Sequence, residues 1–162
     1  MCANYDDCEC CADGHEAVQQ KIEDNIREHG VAIIFTQTEA AETILNLAYT
    51  IGLADIGHPE VLVFALPAES AHMILNDIAT RAREVALPMN ERLDDLANLP
   101  LILKPVAPSI AAEYIVQANA RAGRELPALQ LVWPDARGLF PWEEGFEQRL
   151  LAAQPHLYGI TH

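Results

Sequence analysis

The sequence predicts an α+β fold, a mostly antiparallel sheet of about five strands with about three packing helices. Three observations lead there. Apolar residues recur at helical spacing over three separate stretches. Between them lie β-branched or strictly alternating runs of strand length. The runs nearest the start follow one another without an intervening helix, which favours antiparallel pairing over a doubly wound sheet. At 162 residues and 51% hydrophobic, the chain suits one domain that buries about 70% of its unfolded surface.

Residues 1–14 read as a flexible, acidic, cysteine-containing leader, and 15–162 as a single globular domain. Ala17/Val18, Ile22 and Ile26 recur every four residues and Gly30 follows as a stop, so a helix is placed over about 15–29. Val31–Thr36 is β-branched and aromatic, a strand, and the polar Gln37–Thr43 reads as a connection. Leu45, Leu47, Tyr49, Ile51 and Leu53 alternate, as in a half-buried strand pairing back on 31–36. Ala54–Glu60 carries the breakers Gly57 and Pro59 and reads as a loop. The apolar run Val61–Leu66 suits a central strand covered on both faces.

Pro67 and Glu69 open a second helix over about 68–86, with Ala71, Ile74, Leu75, Ile78, Ala82 and Val85 as its apolar stripe. Met89–Pro100 is charged and broken. Leu101–Val106 is a strand that Pro105 pushes towards an edge or an early end. Ile110, Ala111, Tyr114, Ile115, Ala118 and Ala122 form a third helix stopping at Gly123, and Leu129–Trp133 is the last strand. The tail Pro134–His162 reads as irregular, with one short helix near 144–153.

Charge narrows the function classes. The net charge is −14, and residues 1–60 alone hold twelve acids against Lys21 and Arg27, a net of −10. That argues against nucleic-acid binding through phosphates and against an anionic membrane surface. It suits a solvated acidic face or a basic protein partner. No apolar run reaches the length of a membrane span, and Met1–Asp7 does not read as a signal peptide, so a cytoplasmic, reducing location is the expectation. The oligomeric state is left open.

Three constellations carry possible chemistry. Cys2, Cys8, Cys10, Cys11 and His15 bring thiol and imidazole ligands together, the donor set of zinc or another thiophilic metal. Their spacing lacks a C-x₂-C pair, and Cys10 and Cys11 are adjacent, so a redox role or no role stands beside the metal reading. Tyr49, Thr50, His58 and Glu60 lie on a strand end and the loop after it. There a histidine and a carboxylate suit proton transfer or ligand binding. The structural alternative has His58 bonding a backbone carbonyl, Pro59 shaping the turn and Glu60 meeting solvent or a cation. Gln130, Trp133, Asp135, Trp142 and Glu143 build an aromatic-proline segment, either a stacking wall with carboxylates or a cap on the core. No G-x-G-x-x-G, Walker loop, G-x-S-x-G or H-E-x-x-H is present, so no standard nucleotide, hydrolase or metalloprotease mechanism can be written.

The strings Asn25-Ile-Arg-Glu-His-Gly30, Tyr49-Thr-Ile-Gly-Leu53, Gly57-His-Pro-Glu60, Leu75-Asn76, Gln130-Leu-Val-Trp-Pro-Asp135, Phe140-Pro-Trp-Glu143 and Gln154-Pro155 together resemble the domain-of-unknown-function 4262 family of bacterial proteins, over about residues 20–155. The resemblance implies a single compact domain and names no reaction. Members often begin Met-Cys-x-x-Cys; here Met1-Cys2 is kept and position 5 is Tyr5.

The reading that best unites these features is a small-ligand-binding domain, enzymatic or not, with a pocket between the His58 loop and the Trp133–Trp142 segment. The alternatives are an acidic interaction module of the immunity or antitoxin-like inhibitor type, and metal or redox sensing through the N-terminal cysteines.

Overall fold

The computed structural model describes residues 9–40, 43–96 and 100–158, with side chains from 16 to 39, 44 to 96 and 100 to 158. The chain runs α1 (Glu9–His29), β1 (Ala32–Ala40), β2 (Thr43–Ile51), a 3₁₀ turn (Leu53–Ile56), β3 (Glu60–Phe64), α2 (Ala68–Glu84), β4 (Arg92–Leu93), β5 (Leu101–Val106), α3 (Pro108–Ala111), α4 (Val116–Ala122), β6 (Ala128–Val132) and a 3₁₀ turn (Gln148–Leu151). The fold is α+β. Six strands form one sheet in the order β1-β2-β3-β6-β5-β4. It is mixed, because β3 and β6 pair in parallel while the other pairs are antiparallel.

Period-2 alternation on the strands sorts their side chains onto two faces. One face carries Ala48, Val61, Val63, Leu101, Leu103, Leu129 and Leu131, and α2 covers it with Ala71, Ile74, Leu75, Ile78 and Ala79. The other carries Leu45, Leu47, Tyr49, Ile51, Leu62, Phe64 and Ala128, and meets Ile22 of α1, Ala111 of α3 and Ala118 of α4. At its far end Ile102 and Val132 meet Phe140 of the tail. All five residues of β3 are buried, as a continuous apolar run at the sheet centre requires.

Several boundaries move for identifiable reasons. Helix α1 begins at Glu9, earlier than about 15, so the irregular leader expected over 1–14 does not extend that far. The polar run after Thr36 is not a connection. It continues β1 and pairs with β2 as far as Ala40 opposite Thr43. Once a hairpin is registered, main-chain bonding carries it beyond its apolar part. The third helix is broken in two, with Ile115 between them at φ −90° and ψ 51°. Among the described residues the tail's regular segment is the 3₁₀ turn at Gln148–Leu151. Helix α4 closes on Gly123 in the left-handed conformation, as expected. Among the described residues no helix is long and apolar enough to cross a membrane.

The candidate metal ligands fall outside this description. Cys2 and Cys8 precede the described residues, and the side chains of Cys10, Cys11 and His15 are not among those described.

Candidate functional site

Glu60 begins β3 and is 1% exposed. Its carboxylate accepts four hydrogen bonds, from Thr50 Oγ1 (2.8 Å), Leu53 N (3.1 Å), Gly52 N (3.0 Å) and Ala54 N (3.2 Å). Thr50 Oγ1 in turn accepts the Val61 amide at 2.9 Å. The Tyr49–Leu53 string and the His58-Pro-Glu60 string are therefore one device, a buried carboxylate folding the strand end around itself. Burial raises the Glu60 pKa; the hydroxyl and three amides oppose this without reversing it. The cation or solvent contact considered for Glu60 from sequence is replaced by backbone amides. The His58 Nδ1 lies 2.6 Å from the Pro59 carbonyl oxygen. Tyr49 is buried, and its hydroxyl accepts the Gln117 amide at 3.1 Å, doing for the start of α4 what a capping side chain usually does. Burial raises the phenol's pKa.

Gly52 sits at φ +123°, and a Cβ there would stand 3.1 Å from the Gly30 carbonyl oxygen. A Gly52→Ala substitution meets both a strained backbone and an immovable neighbour, so it is expected to cost about 1–3 kcal/mol in chemical denaturation.

At the other end of the sheet, two buried glutamines hold the tail. The Gln130 Nε2 donates to the Pro155 carbonyl (2.6 Å) and its Oε1 accepts the Leu157 amide (3.0 Å). The Gln154 Oε1 accepts the Trp133 amide (2.8 Å) and its Nε2 donates to the Trp133 carbonyl (2.9 Å). Each side-chain amide thus stands in for a neighbouring strand. The Trp133 indole donates to the Phe64 carbonyl at 2.9 Å. Asp135 is buried; it accepts amides from Arg137, Leu139 and Glu147. Desolvation raises its pKa, but these amides and the nearby Arg137 outweigh it and hold the carboxyl below the usual range. Trp142 stacks on Phe140 with ring centroids 5.1 Å apart, and the Lys104 ammonium lies 4.4 Å from the Trp142 ring centroid. Glu143 Oε1 accepts the Phe140 amide at 3.3 Å.

The two groups of residues do not share a pocket. Strands β3 and β6 run parallel, with Glu60 opposite Ala128 and Leu62 opposite Gln130. His58 therefore precedes one end of the paired strands, while Trp133, Asp135 and Trp142 follow the other, about 16 Å along a five-residue strand. The pocket expected between them is corrected on that ground. Sequence alternation places residues on faces, but only the pairing direction tells which loops share an end.

The structure instead opens a cleft of about 390 Å³ where α1 and α2 meet across the start of β1. Val31, Ala32 and Ile33 contribute its apolar lining. Asn25 and His29 come from α1, and His72, Asn76, Thr80 and Arg83 from α2. The α2 residues lie four, four and three positions apart, hence on one helical face. Among the described residues the Asn25 and Asn76 amides and the His72 ring have no hydrogen-bond partner, and Asn25 and Asn76 are half-buried. Arg83 donates to the His29 carbonyl, capping α1 from across the cleft. On the far side of α1, Arg121 of α4 binds Glu23 (2.7 Å) and Asp55 (2.9 Å), clasping three elements and neutralising part of the acidic surface. Sequence reasoning missed both groups. The signal for the cleft was available, as polar residues at four-residue spacing on otherwise apolar-patterned helices.

A scan of protein families matches residues 25–147 to the family described as Domain of unknown function (DUF4262). The chain belongs to that family. No curated protein and no solved structure matches it. The DUF4262 match begins at Asn25, the first cleft residue in the chain, and ends at Glu147, whose amide Asp135 binds. Within this DUF4262 domain, Thr50, Glu60, Gln130, Trp133 and Asp135 spend their polar atoms on internal bonds. Asn25 and Asn76 do not.

Proposed function

We propose that this domain binds a small polar molecule carrying a carboxylate or phosphate group in the cleft between α1, β1 and α2. The observation that carries the reading is the pair of half-buried, unpartnered amides of Asn25 and Asn76, facing one cavity with the Arg83 guanidinium and the His29 and His72 rings. Amide donors free of internal bonds and lining one cavity suit a ligand with several acceptors. None of the nine lining residues is acidic, in a chain with 24 acids. The volume lies within the range of small-molecule sites, and its few polar groups converge from separate elements, as such sites are usually built.

Titration of the isotope-labelled protein with small carboxylates and phosphate monoesters, followed by amide chemical shifts, tests this. Shifts confined to Asn25, His29, His72, Asn76 and Arg83 are expected. Asn76→Ala is expected to weaken binding about tenfold, the loss of one or two hydrogen bonds, with the melting temperature little changed. Saturating shifts at the Trp142 end with none in the cleft would overturn the assignment.

A further inference from the structure

The sheet has two edges, and they differ. The β4 edge is two residues long, flanked by Glu91, Asp94 and Asp95. Beyond β4, that side of β5 carries Pro105, which has no amide N–H, and its Leu103 carbonyl accepts the Asn90 amide at 2.9 Å. Short length, charge and proline are the usual protections of a sheet margin. The β1 edge has neither short length nor proline, and its one charge, Glu39, stands near its far end opposite Ile44. It is nine residues long, about 30 Å, and pairs with β2 on one side only. From Ala32 to Thr38 it holds no ionisable residue, no proline and no glycine. Phe35 is 43% exposed on it and Ile44 of the adjoining strand 69%.

Charge decides what fits this edge. The acids of α1 that line a cavity, Glu16 and Glu23, face α4, whereas Asn25 and His29 face β1. The α2 flank offers His72, Asn76, Thr80 and Arg83. From Ala32 to Thr38 the strand itself thus carries no carboxylate, in a protein with a net charge of −14, and Glu39 follows only at its far end. That stretch gives a basic partner nothing to attract it. It is, however, the one kind of surface on which two such acidic molecules can meet without opposing like charges directly. We infer that β1 pairs antiparallel with β1 of a second copy, joining two sheets across a two-fold axis into one. Isologous pairing needs only that the strip match itself, and a neutral, β-branched and aromatic stretch does. The start of this edge, Ala32 and Ile33, also lines the cleft, so the pairing lies beside the proposed ligand site.

Sedimentation equilibrium of the full chain is the test, with Phe35→Lys and Gln37→Lys as separate variants. Each puts like charges near the two-fold axis at an exposed side chain, and Gln37→Lys carries the test should Phe35→Lys fail to fold. The expected result is twice the 17.8 kDa chain mass for the parent, and a single chain mass for each variant that keeps its circular dichroism. The dimer is expected to hold or strengthen as salt rises, because salt screens the long-range repulsion between the two acidic bodies. A monomeric parent, a dimer that survives both folded variants, or one that dissociates as salt rises overturns the inference.

Discussion

Replacing Glu60 with glutamine is expected to destabilise the protein by about 2–4 kcal/mol, read from urea unfolding with circular dichroism. The shape is preserved, so no cavity term enters. What changes is polarity. The carboxylate accepts from Gly52 N and Ala54 N on one oxygen, and from Thr50 Oγ1 and Leu53 N on the other. An amide must turn its NH₂ towards one of these pairs, setting donor against donor in a buried site. Glu60→Ala, which removes all four acceptor contacts and leaves a void, is expected to cost more. The pH dependence has a definite sign. Because burial raises the folded-state pKa above the unfolded value, the stability linked to Glu60 protonation is fully present below the ordinary glutamate range. It is lost as pH rises through the raised folded value. Glutamine has no such slope, so the stability gap between parent and Glu60→Gln is expected to narrow with rising pH across that window. A gap that widens with pH would mean that the four donors outweigh burial and hold the Glu60 carboxyl down.

The second large effect concerns the tail. Gln154→Ala is expected to cost about 2–4 kcal/mol, since it leaves the amide and the carbonyl of Trp133 without their partner. Gln130→Ala removes the equivalent support from Pro155 and Leu157 and is expected to cost a similar amount. The two are expected to be clearly sub-additive. Once the segment after Gln148 has lifted from the sheet in one variant, the second substitution has little left to break. Tryptophan fluorescence reports the same event, because Trp142 loses its edge contact with Tyr158 when the tail leaves. Strictly additive losses would mean that the two glutamines act on separate parts of the fold.

Local pattern carried most of the architecture. The apolar run at Val61 became a buried central strand, the alternation from Leu45 to Ile51 became its neighbour, and Gly123 ended its helix. What local pattern did not carry was direction. Nothing in residues 128–132 says that they run parallel to β3, and that one fact separates His58 from Trp133. The candidate site was half legible for a related reason. Polar residues in distinctive strings stand out in a sequence whether they serve a ligand or the backbone. Glu60, Gln130 and Asp135 stand out because buried amides elsewhere in the fold require them. Asn25 and Asn76 stand out less, and their freedom shows only once the hydrogen bonds of the fold are known. His72 and Arg83 show in the sequence only through their spacing with Asn76 and Thr80, and they matter only where α2 passes the end of α1.

The parallel pair β3–β6 also shapes how the chain finds its fold. On either side of it the sheet is made of neighbours: β1 with β2 and β2 with β3, β4 with β5 and β5 with β6. These pairs close over stretches of at most about 30 residues. The seam between Glu60 and Ala128 joins residues far apart in sequence, and the entropy of loop closure is concentrated there. The sheet is thus two sequence-local halves joined at one long-range seam, and the Glu60 carboxylate that organises the turn also stands at the first rung of that seam.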